Sequence, residues 1–295
     1  MTGDLPCEIT VPGSTANLGP GYDALALALQ VYLRLRVERG DGPPCHVAWQ
    51  FGDRPLTGEN YIDRAFRAGL PAGAGVPALR VRVDSEIPMR GGLGSSAAAL
   101  VAGLRLASHF HPRPERDLLQ AATLLEGHPD NVSASLLGGL TVSAVAASGE
   151  VHSLAVRWPA AWGLVVATPA VELATSAARQ VVPRQVALAD AIANLQRAAL
   201  LVAAVHAADT AAFREALRDR LHQPHRAPLV PGLAQALSFD TPSLIGVFLS
   251  GAGPSIAAVV TGDGDEVRCR FEALYRDLGL ACHVRAIDVH QPGLP

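Results

Sequence analysis

The stretch that most constrains the fold of this chain is Pro88 to Leu100, which reads Pro-Met-Arg-Gly-Gly-Leu-Gly-Ser-Ser-Ala-Ala-Ala-Leu. Three glycines precede two serines, and good helix formers follow without a break. We expect a helix over 97–109 with Ser95 or Ser96 as its N-cap. A glycine loop that leads into a helix start gathers free backbone N–H groups at the positive end of the helix dipole, which predicts a phosphate site. Taken alone, the glycines fit an ordinary serine-capped turn equally well.

Two other phosphate motifs are excluded by the residues present. The P-loop requires a lysine before Ser or Thr, and all 24 basic residues of this chain are arginine. No Gly-x-Gly-x-x-Gly with a following acidic residue occurs here, so the dinucleotide fingerprint is excluded as well. The net charge of −3 gives no basic footprint for nucleic acid or an anionic membrane. Any phosphate must therefore be bound by a small local group of residues and not by a broad basic surface.

The length of 295 residues favours one large or two medium domains. Four scattered cysteines predict reduced thiols rather than a disulfide framework. The N-terminus shows no signal-peptide pattern, and charge or proline interrupts the apolar stretches. We therefore expect a soluble, cytoplasmic protein with no nucleic-acid or membrane partner.

Hydrophobic alternation and helix signals divide the chain into two halves. Strands are predicted at 8–12, 31–38, 46–51 and 79–85, and helices at 59–70 and 114–125. The strand at 79–85 gives the glycine loop the strand–loop–helix context that phosphate binding needs. After a boundary near 157–159, the second half reads β–α–α–β–β–α–β.

The pattern Pro-x-x-x-Gly-Leu-Gly-Ser-Ser-Ala resembles the phosphate-binding motif of the GHMP kinases, which include galactokinase, homoserine kinase and mevalonate kinase. This resemblance implies that the loop wraps the phosphates of ATP and that the hydroxyl of Ser96 reaches a phosphate-bound Mg²⁺. The ATP-binding residues that it implies in this loop are Pro88, Arg90, Gly91, Gly92, Leu93, Gly94, Ser95 and Ser96.

An earlier loop, Gly-Ser-Thr-Ala-Asn-Leu-Gly-Pro-Gly-Tyr-Asp at 13–23, is similar to the first GHMP kinase motif in the form that homoserine kinases carry. By itself the loop would fit a wide turn in which Asn17 and Asp23 bond locally. The resemblance implies instead that both side chains face an amino-acid substrate, with Asp23 pairing with its ammonium group.

A third polar run, Glu-Gly-His-Pro-Asp-Asn at 126–131, also resembles homoserine kinases. A helix–turn–helix connection capped by Asp130 or Asn131 is the alternative. The resemblance implies that Glu126 holds Mg²⁺ together with Ser96, a role that suits the preference of magnesium for oxygen ligands. It also implies that His128 and Asn131 contact the substrate.

Two segments of the second half complete the resemblance to homoserine kinases. Thr175 and Arg179 share a helix face. Their spacing alone would fit an ordinary surface helix, but the resemblance implies that both residues bind the substrate. In Asp-Arg-Leu-His-Gln-Pro-His-Arg, the spacing of His222 and His225 is a weak metal signal without a third ligand. The resemblance implies that Arg226 binds the substrate carboxylate, with His225 at a position where the family has Tyr.

The glycine run Ser-Gly-Ala-Gly-Pro-Ser-Ile at 250–256 would make a tight turn in many proteins. It resembles the third GHMP kinase motif, which implies that Gly251 and Gly253 lie close to the phosphate loop. Asn60 resembles a family position near the nucleotide base.

Together these resemblances imply an α+β, two-domain GHMP kinase fold. Residues 1–157 would form the ATP-binding domain, similar to ribosomal protein S5 domain 2, and 158–295 a ferredoxin-like domain. The implied reaction is phosphorylation of L-homoserine by ATP and Mg²⁺, with Asn131 near the reacting hydroxyl and Arg179 near the carboxylate or γ-phosphate. Because Asp23 is assigned to the ammonium group and lysine is absent, we predict no dedicated catalytic base.

Two alternatives stay open at this point. Another GHMP kinase, acting on mevalonate or an amino alcohol, would keep the phosphate residues without needing the Asp23–Arg226 clamp. A relative that only binds nucleotide would usually have lost Ser96 or Glu126, and both are present. The C-terminal helices are compatible with a homodimer.

Overall fold

The computed structural model describes residues 3–52 and 58–293. Its strands are β1 (Cys7–Ala16), β2 (Leu25–Arg39), β3 (Val47–Phe51), β4 (Leu79–Ser85), β5 (Leu140–Val145), β6 (Val151–Val156), β7 (Trp162–Pro169), β8 (Leu244–Leu249), β9 (Ile256–Thr261) and β10 (Cys282–Ile287). Its helices are α1 (Tyr61–Gly69), α2 (Ser95–Phe110), α3 (Glu115–Glu126), α4 (Asp130–Leu137), α5 (Thr175–Gln180), α6 (Leu188–Ala207), α7 (Thr210–Ala216), α8 (Gln223–Arg226), α9 (Leu233–Ala236) and α10 (Asp265–Asp277), and a 3-10 turn covers Ala227–Leu229.

The first sheet has the order β3-β4-β2-β5-β6, and β1 pairs along β2. The predicted half-buried strand at 31–38 is confirmed, but β2 begins six residues earlier, at Leu25. Its first five residues are all buried, so the alternation that marks a half-buried strand is lost there. The sequence did not predict the edge strand β6, whose one partner in the described part of the chain is β5.

The predicted first strand, 8–12, is also longer in the structure, because β1 runs to Ala16. A register shift between Pro12 and Gly13 lets pairing with β2 continue through a segment that the sequence analysis assigned to a loop. The polar side chains of Ser14 and Thr15 are buried there. Thr15 Oγ1 lies 2.8 Å from Ser250 Oγ, so its polar atom has a partner inside the protein.

The second sheet is antiparallel with the order β10-β7-β9-β8. Numbered along the second half, this is fourth, first, third, second, the strand order of a ferredoxin-like fold. The last strand of the first sheet ends at Val156 and the first strand of the second begins at Trp162.

One apolar core joins the two sheets. Its buried residues come from β1 and β2, from α2, and from β7, β8 and β9. A second cluster covers the other face of the second sheet, where Phe271 and Tyr275 of α10 pack. The shared core brings β1, the start of α2 and the loop between β8 and β9 together.

Helix α6 is long and apolar enough, by length and composition, to cross a membrane, and 28% of that window is buried. One face packs on the protein, where the buried Asn194 donates to Asp219 Oδ1 at 2.7 Å. The outward face exposes large apolar side chains, namely Leu188, Ile192, Leu195 and Leu200.

Candidate active site

The predicted phosphate loop connects β4 to α2. Gly94 is the N-cap of α2, with φ +69° and without a capping side chain. The prediction that Ser95 or Ser96 caps this helix is therefore wrong, because both serines lie inside its first turn. Gly94 alone accepts this left-handed conformation without strain, and a Cβ there would lie 2.3 Å from Ser14 Oγ. The first N–H groups of α2 thus remain free of a capping side chain.

The loop is fixed by contacts to two distant segments. Ser14 N–H donates to the Leu93 carbonyl at 3.1 Å, and Ser250 Oγ donates to the Gly92 carbonyl at 2.7 Å. Gly92 has φ +77°, and a Cβ there would lie 2.6 Å from the Ser250 carbonyl oxygen and 2.8 Å from that of Gly253. The 250–253 turn, predicted to lie near the phosphate loop, packs directly against it.

Ser96 and Glu126, the predicted metal ligands, lie side by side. Ser96 Oγ donates to Glu126 Oε1 at 2.6 Å, although the two residues are 30 positions apart in sequence. Both side chains are partly exposed. A hydroxyl and a carboxylate beside the phosphate loop form an oxygen donor set of the kind that Mg²⁺ prefers while it keeps several waters. The residues present therefore fit a magnesium ion.

A cluster of two carboxylates and an imidazole lies next to this pair. His128 Nδ1 is 2.5 Å from Asp130 Oδ1, and ligand atoms of Asp23, His128 and Asp130 lie within 4.8 Å of one another. Burial is the largest single influence on the pKa of His128 and lowers it. The hydrogen bond and charge of Asp130, together with the nearby carboxylates of Glu126 and Asp23, outweigh burial, so the pKa of His128 is raised. The two carboxylates therefore favour positive charge at this place, and a protonated His128 supplies part of it.

Asn131 connects this cluster to the phosphate loop. Its backbone N–H donates to Asp130 Oδ1 at 2.7 Å, and its Oδ1 accepts from Ser14 Oγ at 2.8 Å. A Cβ on Gly94 would lie 3.1 Å from the same Oδ1. The amide of Asn131 therefore stands between the helix start and the cluster.

Asp23 and Arg179 form a bidentate ion pair. Arg179 Nη1 and Nη2 donate to the two oxygens of Asp23 at 2.7 and 2.9 Å, which brings α5 to the first predicted substrate loop. The hydrogen bond to Asp23 is the main cause that raises the pKa of Arg179. Thr175, at the start of α5, is exposed, and within the described residues its side chain makes no hydrogen bond.

Arg226 is buried, with 2% of its surface exposed. Its Nε donates to the Ala178 carbonyl and its Nη1 to the Gly251 carbonyl, both at 3.0 Å. Tyr22 covers the guanidinium, with its ring centroid 5.1 Å away. Burial is the main cause that lowers the pKa of Arg226. Among the described residues no carboxylate lies within 4 Å of it, so its charge has no counter-ion.

Three predicted ligand-binding residues bond to other groups of the protein through their side chains. Asn17 Nδ2 donates to the Gly251 carbonyl at 2.8 Å, and its Oδ1 accepts from Asp23 N–H at 3.1 Å. Asn60 Oδ1 caps α1 by accepting two backbone N–H groups. Arg90 Nη1 donates to Glu172 Oε2 at 2.8 Å. At Gly91 a Cβ would lie 3.0 Å from the Pro88 ring, so this turn is tightly packed as well.

Sequence reasoning missed four residues of this site: Ser14, Tyr22, Asp130 and His222. Asp130 was assigned only to a possible cap, although its position between His128 and Asn131 was a signal. Tyr22 stands beside Asp23 in the first motif, but its contact with Arg226 depends on folding. His222 was weighed only as a metal ligand, and the structure gives it a carbonyl and a guanidinium as partners.

The chain is similar to known proteins over almost its whole length. The sequence profile described as GHMP kinases N terminal domain matches residues 60–139. A homoserine kinase of Thermus thermophilus is 42% identical over 280 residues, which cover 92% of this chain and 93% of the relative. A homoserine kinase of Solibacter usitatus is 37% identical over 291 residues, which cover 97% of this chain and 95% of that relative.

A solved structure supports the fold. The crystal structure of homoserine kinase from Cytophaga hutchinsonii superposes with a TM-score of 0.84 at 24% identity, covering 99% of this chain and 98% of that one. The predicted GHMP kinase fold is thereby confirmed. With two relatives more than 35% identical over almost their whole lengths, the chain belongs to the homoserine kinases of the GHMP kinase family, which are ATP-using enzymes.

Proposed function

We propose that this enzyme transfers the γ-phosphoryl group of ATP to the side-chain hydroxyl of L-homoserine, giving O-phospho-L-homoserine for threonine biosynthesis. The observation that carries the proposal is the position of Asn131. Its side-chain oxygen accepts a hydrogen bond from Ser14, which also bonds to the phosphate loop. Its backbone N–H donates to Asp130 of the charged cluster. A hydroxyl held beside this amide would lie between an ATP site and an amino-acid site.

The charged groups suit an amino acid. Asp23 would bind the ammonium group, Asn17 and His128 would contact the substrate beside it, and Arg226 would bind the carboxylate. Arg179 would serve as a second anchor near the carboxylate or the γ-phosphate, with Thr175 on the same helix. Because Arg179 already pairs with both oxygens of Asp23, an entering ammonium group competes with that pair.

ATP would bind along the phosphate loop through the backbone of Gly91, Gly92, Leu93, Gly94 and Ser95. Pro88, Arg90, Asn60, Gly251 and Gly253 would complete its surroundings. Ser96 and Glu126 would hold Mg²⁺, which neutralises charge on the β- and γ-phosphates when bound. Free N–H groups at the start of α2 add to this neutralisation.

We propose that the reaction has no dedicated catalytic base. Phosphoryl transfer depends mainly on positioning and charge neutralisation, and Asp23 is occupied by a cation in either state. The proton of the hydroxyl would leave to the γ-phosphate itself. If Asp23→Asn abolished turnover while homoserine binding stayed intact, Asp23 would be the base instead.

We also propose the arrangement of the whole protein: an ATP-binding domain at 1–157, a C-terminal domain at 158–295, and a cytoplasmic homodimer. The break between the two sheets supports the boundary. The outward apolar face of α6 supports a dimer, since side chains such as Leu188 and Leu195 are more than two-thirds exposed. Analytical ultracentrifugation of the wild type and of Leu195→Glu would test it.

The first experiment measures ADP release from Mg-ATP with L-homoserine, D-homoserine, L-threonine, mevalonate and galactose. Turnover confined to L-homoserine would support both the reaction and the amino-acid clamp. Turnover with mevalonate or a sugar would keep the phosphate site and refute the substrate residues named above. ATP binding without turnover on any acceptor would favour a binding-only protein.

A further inference from the structure

His222 is fully buried between two groups of opposite hydrogen-bonding character. Its Nε2 lies 2.7 Å from the Gly19 carbonyl oxygen, and its Nδ1 lies 3.4 Å from Arg226 Nη1. A carbonyl oxygen can only accept, and a guanidinium can only donate. The imidazole must therefore carry its proton on Nε2 and present a lone pair at Nδ1, which is the neutral form.

The surroundings of His222 keep it neutral. Burial is the main cause that lowers its pKa; Asp219 opposes this effect and the charge of Arg226 adds to it, while Gly19 and the more distant Asp23 raise the pKa slightly. Asp219 Oδ2 is 3.5 Å from Nε2, but it already accepts the backbone N–H groups of His222 and Gln223. Tyr22 stacks on the other side of the ring at 5.2 Å.

The guanidinium of Arg226 is held at Nε and Nη1 and only weakly bonded at Nη2. Nε and Nη1 donate to the carbonyls of Ala178 and Gly251, and Nη1 also meets His222. Nη2 has a single hydrogen-bond partner in the described chain, the Tyr22 hydroxyl at 3.5 Å; this distance and the 3.4 Å from Nη1 to His222 Nδ1 are both long for hydrogen bonds. All these partners are neutral, so the orientation is fixed without compensating the charge.

We infer that His222 is a positioning residue for carboxylate recognition: its Nδ1 lone pair helps to hold the Arg226 guanidinium so that the Nη2 group faces the substrate carboxylate when the Tyr22 hydroxyl gives way. The inference rests on the proposed function, which makes the substrate an amino acid. A carboxylate at position 222 would neutralise Arg226, and a cation would repel it. A buried neutral acceptor does neither.

The test compares His222→Gln with the wild type on two acceptors. Gln places an amide nitrogen near the Nε2 position, so it keeps the bond to Gly19, but it removes the acceptor at Nδ1. The acceptors are L-homoserine and 2-aminobutane-1,4-diol, in which a hydroxymethyl group replaces the carboxylate. We expect KM for homoserine to rise about tenfold, with KM for ATP and kcat/KM for the diol within twofold of wild type. His206→Gln, on the exposed side of α6, should change none of these values.

A second variant separates this role from a structural one. His222→Asn places an oxygen near the Nδ1 position and loses the bond to Gly19, so it should be less stable but keep a KM for homoserine within about threefold of wild type. Equal losses on both acceptors, or an unchanged KM for homoserine in His222→Gln, would overturn the inference. Wild-type inactivity on homoserine would instead refute the proposed function.

The wild-type protein also permits a direct measurement that does not depend on folding of any variant. Nitrogen-15 NMR distinguishes the two neutral tautomers of histidine from the imidazolium. His222 should show a proton on Nε2 alone at neutral pH, with or without homoserine. A proton on Nδ1 would overturn the inference even if the kinetic results agreed with it.

Discussion

Replacing Gly92 by alanine should separate the phosphate loop from the turn that follows β8. The new Cβ would lie 2.6 Å from the Ser250 carbonyl oxygen, about 0.8 Å short of the 3.4 Å at which ordinary contact begins. It would also lie 2.8 Å from the Gly253 oxygen. Both atoms belong to the backbone, so no rotamer change relieves the contact, and one of the two segments must move.

The size of the effect follows from this displacement. A shift approaching 1 Å in a positioning element costs about 100-fold in rate, and we expect kcat for ADP release to fall by that factor. The left-handed backbone, φ +77°, adds about 1–2 kcal/mol of destabilisation on its own. The matched control is Gly149→Ala, where φ is +86° and nothing lies within 4 Å of the new Cβ. It carries the same backbone strain without the contact.

Urea unfolding and steady-state kinetics on both variants test the reasoning. Gly149→Ala should lose stability and keep wild-type kcat, whereas Gly92→Ala should lose both. If Gly92→Ala kept kcat within threefold of wild type, the close packing of the two loops would not be needed for catalysis, and the argument would be refuted.

Three further predictions concern single side chains. Glu126→Gln should lower kcat/KM roughly 100-fold, a typical loss for a positioned charge-stabilising group, with partial rescue by excess Mg²⁺; Glu115→Gln, at the other end of α3, should have wild-type kinetics. Asn60→Ala should cost about 1 kcal/mol of unfolding free energy as a lost cap, read by urea unfolding; an unchanged midpoint would contradict the cap. Because the pKa of His222 is lowered on folding, the unfolded chain binds the extra proton, so His222 contributes a loss of stability as the pH falls below about 6.5, whereas His128, whose pKa is raised, contributes in the opposite direction. The difference in unfolding free energy between the wild type and His222→Asn should therefore shrink as the pH falls, and a difference that does not change with pH would refute the assignment.

The sequence predicted those parts of the site whose structure depends on backbone conformation. Gly92 and Gly94 both have positive φ, as a phosphate loop between a strand and a helix requires, and the turn at Gly251 packs against Gly92 as expected. Ser96 and Glu126 meet because α2 and α3 are neighbouring helices. For these features, the local residue pattern and the order of the elements along the chain are sufficient for a correct prediction.

The remaining features depend on contacts between segments that are far apart in the chain. Ser14 excludes a Cβ at Gly94, and Gly94 rather than a serine is the N-cap, so α2 begins at Ser95, two residues before the predicted start at 97. The burial of Arg226 depends on Tyr22, 204 positions away. No local pattern encodes such a contact, and a motif that names an arginine gives neither its exposure nor its partners.

The absence of lysine from the chain makes orientation as important as charge in this site. Arg179 satisfies both oxygens of Asp23 at once, while Arg226 is held by several neutral acceptors. A lysine at either position would keep the charge but lose the planar fork that makes these contacts possible. Arg179 can compete with a ligand for Asp23, whereas Arg226 keeps an uncompensated charge in a fixed direction. Two arginines that both lie within 6 Å of the Tyr22 ring centroid thus have different chemical roles, and the difference arises from their partners rather than from their residue type.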